Sequence, residues 1–426
     1  MHLPALPLLL FAATYLLLAM GRVPGLALDR TGFAVLGALA FLATGGISLE
    51  QAKSAVDAPT IALLFSMMLL SAQYQLSGLY GAIGRRLAAV QDPRRLLAGV
   101  LVVSALLAGV LTNDVVCFAL TPLVCSALLA TRLDPLPYLL AIACGTNLGS
   151  ALTPIGNPQN ILISQKLGLS FLPFVLVCAL PVLVSLAFTY WLLARRLRTR
   201  PLEAPDADDV SGIGPEIAPT PAAPALDRRE SGKAILLTAV AIALFLSPVP
   251  AYLTGCGIAG VVLTSRRMRS RTMLGLVDWQ MLALFVALFV VTRGLELSGW
   301  TEAGQRWIER AGMPLSDVAV LVPLVAVLGN LVGNVPAVMV LLRFVTATAG
   351  AANVAMDSPV IGYALALAST FAGNALIIAS VANLIVVEQA DRLGIRIGFR
   401  DHLRVGVPVT LFSLGCAVLT LLWISR

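Results

Sequence analysis

A lone carboxylate between amides is the first place in this sequence where chemistry could occur. Residues 96–131 carry no charge except Asp114, which follows Thr112 and Asn113 at the tip of "VLTNDVVCF". Three more polar clusters interrupt apolar runs. "TNLGSALTPIGNPQN" holds Asn147, Thr153, Gly156, Asn157, Gln159 and Asn160; "LVGNVPAVM" holds Gly333 and Asn334; "STFAGNALIIASVANLIV" holds Asn374, Ser380 and Asn383. Amide and hydroxyl groups, with carbonyls freed by Pro154, Gly156 and Pro158, can bind a polar solute or an ion. A carboxylate deep in a bilayer costs ~2.5–3.5 kcal/mol and is a functional candidate by default, so Asp114 is the expected proton-coupling residue. The bland alternatives are that the amides hold helices together and that Asp114 caps a helix.

An enzyme is not expected. Aspartyl chemistry would need a second membrane carboxylate facing Asp114, and metal hydrolysis a His/Glu cluster; the pattern offers neither. The two histidines, His2 and His402, lie near predicted helix ends. The six cysteines (Cys117, Cys125, Cys144, Cys178, Cys256, Cys416) have no CxxC pairing and read as small apolar residues. No metal site and no cofactor are expected beyond a proton gradient or, alternatively, sodium, for which a site beside Asn113 and Asp114 stays open.

The setting is a membrane. The chain has 426 residues, of which 58% are hydrophobic and 12% charged, with a mean hydropathy of +0.91. A soluble domain this apolar would have nothing to cover its surface. The N-terminal apolar run lacks a preceding basic region and reads as a retained first helix rather than a signal peptide. Helices are expected near 4–21, 27–47, 59–79, 136–166 (broken), 170–194, 233–248, 251–265, 278–298, 359–390 (broken) and 405–425. Apolar pairs at 95–131 and 316–350 read as hairpins. Residues 195–232, rich in Pro, Ala and charge, read as a flexible cytoplasmic linker.

Ten crossings, with each hairpin returning to its own side, collect 22 of the 29 Lys and Arg on one face, Arg30 among them. That face should be cytoplasmic, with both termini outside and the protein in the inner (plasma) membrane. The net charge of +7 is thereby explained without nucleic acid. Glu388 and Asp391 should face solvent or headgroups, and Arg293 and Glu296 should satisfy each other.

The halves also match. Asp57 to Asn113 is 56 residues, and so is Asp278 to Asn334; Asn113 precedes Asn160 by 47 and Asn334 precedes Asn383 by 49. Residues 1–194 and 233–426 therefore read as two repeats. With five crossings each, the second must be inverted. Inverted repeats with breaks in matching places mark a secondary transporter whose site lies at the repeat interface. The hairpins are expected to be re-entrant, since two symmetric tips would then meet two broken helices at one centre.

"TNDVVCFALTPLV", "TNLGSALTPIGNPQNILI", "GNVPAVMVLL" and "GNALIIASVANLIVVEQA" resemble the ion transporter superfamily, closest to its arsenite-permease branch of plant silicon efflux transporters and bacterial arsenite/antimonite permeases. Divalent anion/sodium symporters are more distant. The resemblance implies an all-α, elevator-type carrier, often a homodimer. In the sodium-coupled relatives each tip carries Ser-Asn-Thr. Here the tips are Thr112-Asn113-Asp114 and Gly333-Asn334-Val335, and the missing hydroxyls argue against a second sodium site. No Lys or Arg falls in sequence near the clusters, which suits a neutral polyhydroxyl solute. The expected function is proton-coupled efflux of a small inorganic oxyacid such as silicic acid or arsenite, with proton and solute competing near Asp114. The alternatives are a sodium-coupled carboxylate or inorganic anion symporter and a sodium/proton antiporter.

Overall fold

The computed structural model describes residues 4–425 apart from 22, 24, 132, 198–223 and 353–358, and apart from the side chains of 309 and 347–352. Most of the expected linker lies outside these residues. Among the described residues every regular element is helical. The first half runs α1 (Ala5–Met20), α2 (Arg30–Ala43), α3 (Leu49–Ala55), α4 (Ala58–Leu76), α5 (Leu79–Ala88), α6 (Pro93–Val110), α7 (Asn113–Ala130), α8 (Leu136–Ser150), α9 (Pro158–Leu167) and α10 (Phe171–Ala194). The second half repeats that order: α11 (Arg228–Phe245), α12 (Ala251–Leu263), α13 (Ser270–Leu274), α14 (Trp279–Leu297), α15 (Trp300–Arg310), α16 (Val318–Val332), α17 (Asn334–Ala352), α18 (Pro359–Ala372), α19 (Val381–Asp391) and α20 (Phe399–Ile424).

Local chemistry explains the starts of these helices. Asp57 and Asp278 accept the N–H of Thr60 and Met281 at 2.9 and 2.8 Å, capping α4 and α14 at matching positions. Asp92 and Asp317 do the same for the first arms, α6 and α16. Asp227 accepts from Arg229 and Glu230, so α11 begins at Arg228 and the linker expected to reach 232 ends five residues earlier. The short polar helices α5 and α15 were absent from the sequence expectation.

Among the described residues, five helices are long and apolar enough to cross a membrane: α6, α7, α10, α14 and α20. The α3–α4 pair, bent by 54°, makes a sixth, and α1, α2, α12, α16, α18 and the described part of α17 are shorter apolar helices. Outward faces of these helices carry many large apolar residues. Leu172, Leu176, Leu180 and Leu183 form an exposed stripe on α10, as lipid requires. Cys256 is exposed and Cys416 half-buried on such faces, and only the other four cysteines are buried.

Packing is paired across the halves. The hairpin arm α6 lies on α8 as α16 lies on α18; α7 meets α19 as α17 meets α9; α2 packs on α14 as α12 packs on α4. The α6–α8 seam is lined by small residues. A Cβ at Gly149 would run into the backbone of Ala105, and one at Gly109 would stand 3.3 Å from the Gly149 carbonyl.

Candidate solute-binding site

The four polar clusters converge. The tips of both hairpins and the breaks of both interrupted helices surround one cavity of about 70 Å³, which includes Asn113, Asp114, Pro158, Gln159, Gly333, Asn334 and Ser380 in its wall.

Behind this wall the amides form a connected network. Asn147 is fully engaged: its Nδ2 donates to Asn374 Oδ1 (3.0 Å) and Asn383 Oδ1 (3.2 Å), and its Oδ1 accepts from Asn113 Nδ2 (3.2 Å) and Ser380 Oγ (3.1 Å). One amide thus ties the first hairpin tip to the second broken helix. Asn160 and Asn383 have the same task in each half. Asn160 Nδ2 donates to the carbonyls of Ser150 and Thr153 (3.2 and 3.0 Å), and Asn383 Nδ2 to those of Gly373 and Leu376 (2.7 and 3.1 Å). Both amides satisfy carbonyls that a broken helix leaves open. Asn157 caps α9 through the Asn160 N–H and donates to Ser150 Oγ and Thr370 Oγ1. Thr153 donates to the Gly109 carbonyl at 2.5 Å, and the Asn113 N–H donates to the Gly156 carbonyl at 3.2 Å. A Cβ at Gly156 would collide with the Ser150 backbone.

The predicted residues therefore divide. Asn113, Asp114, Gln159, Gly333, Asn334 and Ser380 face the cavity; Thr112, Asn147, Thr153, Gly156, Asn157, Asn160, Asn374 and Asn383 stand behind it. Polar atoms are left open at the tips. Asn113 Oδ1, Asn334 Oδ1 and Thr112 Oγ1 are buried and have no partner among the described residues. Asp114, half-buried in the first turn of α7, makes no hydrogen bond or ion pair there either, and the residue at the cap position is Thr112. The capping alternative for Asp114 is not realised.

One correction concerns charge. The site was expected to lack a cation, yet Arg30 lines the cavity. Its Nη1 lies 3.5 Å from where a Cβ on Gly333 would be. Charge counting assigns residues by their neighbours in sequence, and this cavity is built from helices distant in sequence. Thr370 and His402 were also missed. Thr370 Oγ1 accepts from Asn157 and from Gln159 (3.5 Å). His402 is buried in α20 with Nε2 2.9 Å from the Asn374 carbonyl, beside the second break. Thr370 stands in "STFAGN", inside a cluster already singled out; His402 was missed because the last helix was expected to begin at 405, and it begins at Phe399.

Elsewhere several charges are paired. Glu296 bonds both Arg293 (2.9 Å) and Arg343 (2.8 Å), Asp57 pairs with Lys166, and the exposed Glu388 pairs with Arg392 (2.7 Å).

Residues 15–368 match the family described as CitMHS, citrate transporter. The silicon efflux transporter LSI3 of Oryza sativa subsp. japonica is 28% identical over 94% of this chain and 94% of its own length. The putative transporter arsB of Dictyostelium discoideum is 25% identical over 91% and 86%, and a 46 kDa membrane protein of Mycobacterium leprae is 26% identical over 96% and 95%. Among solved structures, the Alcanivorax borkumensis YdaH transporter superposes with a TM-score of 0.61 at 16% identity, covering 98% of both chains. Neisseria gonorrhoeae MtrF, described with a class of antimetabolite efflux pumps, gives 0.56 at 13% identity over 98% of this chain and 94% of its own.

Proposed function

This chain belongs to the CitMHS citrate transporter family of the ion transporter superfamily, and from that premise we propose that it is a proton-coupled exporter of a small inorganic oxyacid such as silicic acid or arsenite. The family and its relatives are multi-pass membrane transporters, not enzymes. The observation that carries the substrate reading is the pair Asn113 and Asn334, on opposite hairpin tips in the wall of one small cavity, each with a buried amide oxygen that has no partner among the described residues. Such oxygens accept from the O–H groups of a compact polyhydroxyl solute, and leaving them unmet costs ~1–3 kcal/mol each. Asp114, also without a partner among the described residues, is a third acceptor and the proton carrier, so that proton and solute compete for it. The paired packing of the halves supports inverted repeats that open the cavity alternately to the two sides, by an elevator-type movement of the tips and broken helices. In this reading the central linker is cytoplasmic and both termini lie outside, in the plasma membrane.

The test is Asp114→Asn in proteoliposomes loaded with arsenite or silicic acid. The replacement keeps shape and an acceptor and removes only the titratable group. Flux driven by a proton gradient should be lost, while downhill exchange persists. Flux like that of the wild type would remove Asp114 from the coupling, and flux driven by sodium alone would favour the sodium-coupled alternatives. A second reading, transport of a carboxylate or inorganic anion, is favoured by one observation: the Arg30 guanidinium in the cavity wall.

A further inference from the structure

We propose that Arg30 is a specificity-determining residue that gives a nearly symmetric cavity one charged end and so extends the solutes it accepts from neutral oxyacids to ones with an ionised oxygen. The inference rests on the reading of the tip cavity as the solute site. Arg30 is half-buried in the cavity wall and makes no hydrogen bond or ion pair among the described residues. That sets it apart from Arg293 and Arg343, which share Glu296, and from Lys166, which has Asp57. Its neighbour Asp29 is already engaged: the Asp29 side chain accepts the Gly32 N–H at 2.8 Å and caps α2. Asp114 shares the cavity without contacting it.

A glycine of the second tip stands beside the guanidinium. Gly333 has φ +95°, a conformation side chains rarely adopt, and a Cβ there would approach Arg30 Nη1. A partly desolvated guanidinium with open fork geometry is suited to a carboxylate or a tetrahedral oxyanion, which it can grip through two parallel N–H groups. Asymmetry points the same way. In the pairing of the halves, α12 stands to α4 as α2 stands to α14, and its first residue is Ala251, where α2 begins with Arg30. Ala251 faces the separate, larger cavity of about 500 Å³ between α9, α10 and the α11–α12 turn, where no Lys, Arg, Asp or Glu lines the wall. Of these two cavities, the tip cavity is the one lined by a cation. A solute that is ionised at one edge and hydroxylated at the other would place its anionic oxygen at Arg30 and its O–H groups at Asn113 and Asn334.

The experiment measures equilibrium binding and thermal shift on the purified full chain, its Arg30→Gln and its Arg30→Lys variants. The probes are citrate and phosphate, both anionic, and arsenite, uncharged at neutral pH. At least one anion should bind wild type and bind R30Q about tenfold more weakly or worse. R30K should recover part of the loss, because it keeps the charge and lacks the fork, and arsenite should be affected by less than about threefold in either variant. If R30Q fails to fold, R30K alone reads the proposal: it must weaken the anion and spare arsenite. Equal anion binding by wild type and variants overturns the proposal, as does a wild type that binds neither anion. In either case proton-driven arsenite flux would still stand or fall by the Asp114 test, so the two failures are distinguishable.

Discussion

Replacing Asn147 by alanine tests whether the amides behind the cavity act as one network. The substitution deletes two donated and two accepted hydrogen bonds at 3.0–3.2 Å and strands Asn113 Nδ2, Ser380 Oγ, Asn374 Oδ1 and Asn383 Oδ1, all on buried residues. At the ~0.6 kcal/mol average for hydrogen bonds between membrane helices, the loss is about 2–3 kcal/mol, and full desolvation of the stranded groups would raise it. Asn160→Ala is the comparison: it removes two bonds to backbone carbonyls within one break and should cost about half as much. Reversible unfolding in mixed micelles gives both values. The double variant Asn147→Ala/Asn374→Ala should cost less than the two singles together by at least about 0.5 kcal/mol, because the residues share a bond. A cost below about 0.5 kcal/mol for Asn147→Ala, or strict additivity in the double variant, would falsify the shared network.

Two further outcomes are expected. Gly149→Ala should destabilise by about 1–3 kcal/mol, since its Cβ meets α6 backbone that cannot rotate away, whereas Gly415→Ala on an open face of α20 should be neutral or stabilise by up to ~1 kcal/mol; thermal denaturation in detergent ranks the pair, and equal effects would refute the close α6–α8 approach. Asp227 lies outside the candidate membrane-spanning helices, and its hydrogen bond to Arg267 (2.7 Å) and the N–H groups of Glu230 and Arg229 hold its carboxyl below the usual carboxylate range. A depressed value means stability that is present at neutral pH and lost as pH falls through that value, so Asp227→Asn should flatten the acid limb of a stability–pH curve; an unchanged limb would show that the pair contributes nothing.

Much of this architecture is written in short signals. The 56-residue spacings from Asp57 and Asp278 are legible because each aspartate caps a helix that begins the same structural passage in its half. The breaks are legible because Pro, Gly and Asn cannot continue an apolar helix without exposing carbonyls, and Asn160 and Asn383 answer that exposure. What each amide does is not legible: one residue type serves in the wall at Asn113 and as internal bracing at Asn147, and only three-dimensional neighbours decide which. Arg30 escaped for the same reason. A charge at a helix start looks solvated until a hairpin from the far half is placed against it. Thr370 was hidden because a threonine in an apolar helix has a backbone carbonyl within reach and needs no other partner. The start of α11 was misjudged although its Asp227 cap was in view, because the acidic and basic residues around it continue the composition of the linker.

The crossed seating of α2 on α14 and of α12 on α4 has a consequence for biosynthesis. The partner of α2 begins roughly 240 residues downstream, so at ~5–20 residues per second the ribosome needs about 12–50 s to deliver it. During that interval the nascent first half lies in the bilayer with the face destined for α14 turned to lipid, and Arg30 waits at the head of α2 with no cavity to enclose it. The cell must therefore keep an unfinished half-transporter from being degraded or paired with another nascent chain, and folding of the first half is completed only after synthesis of the second.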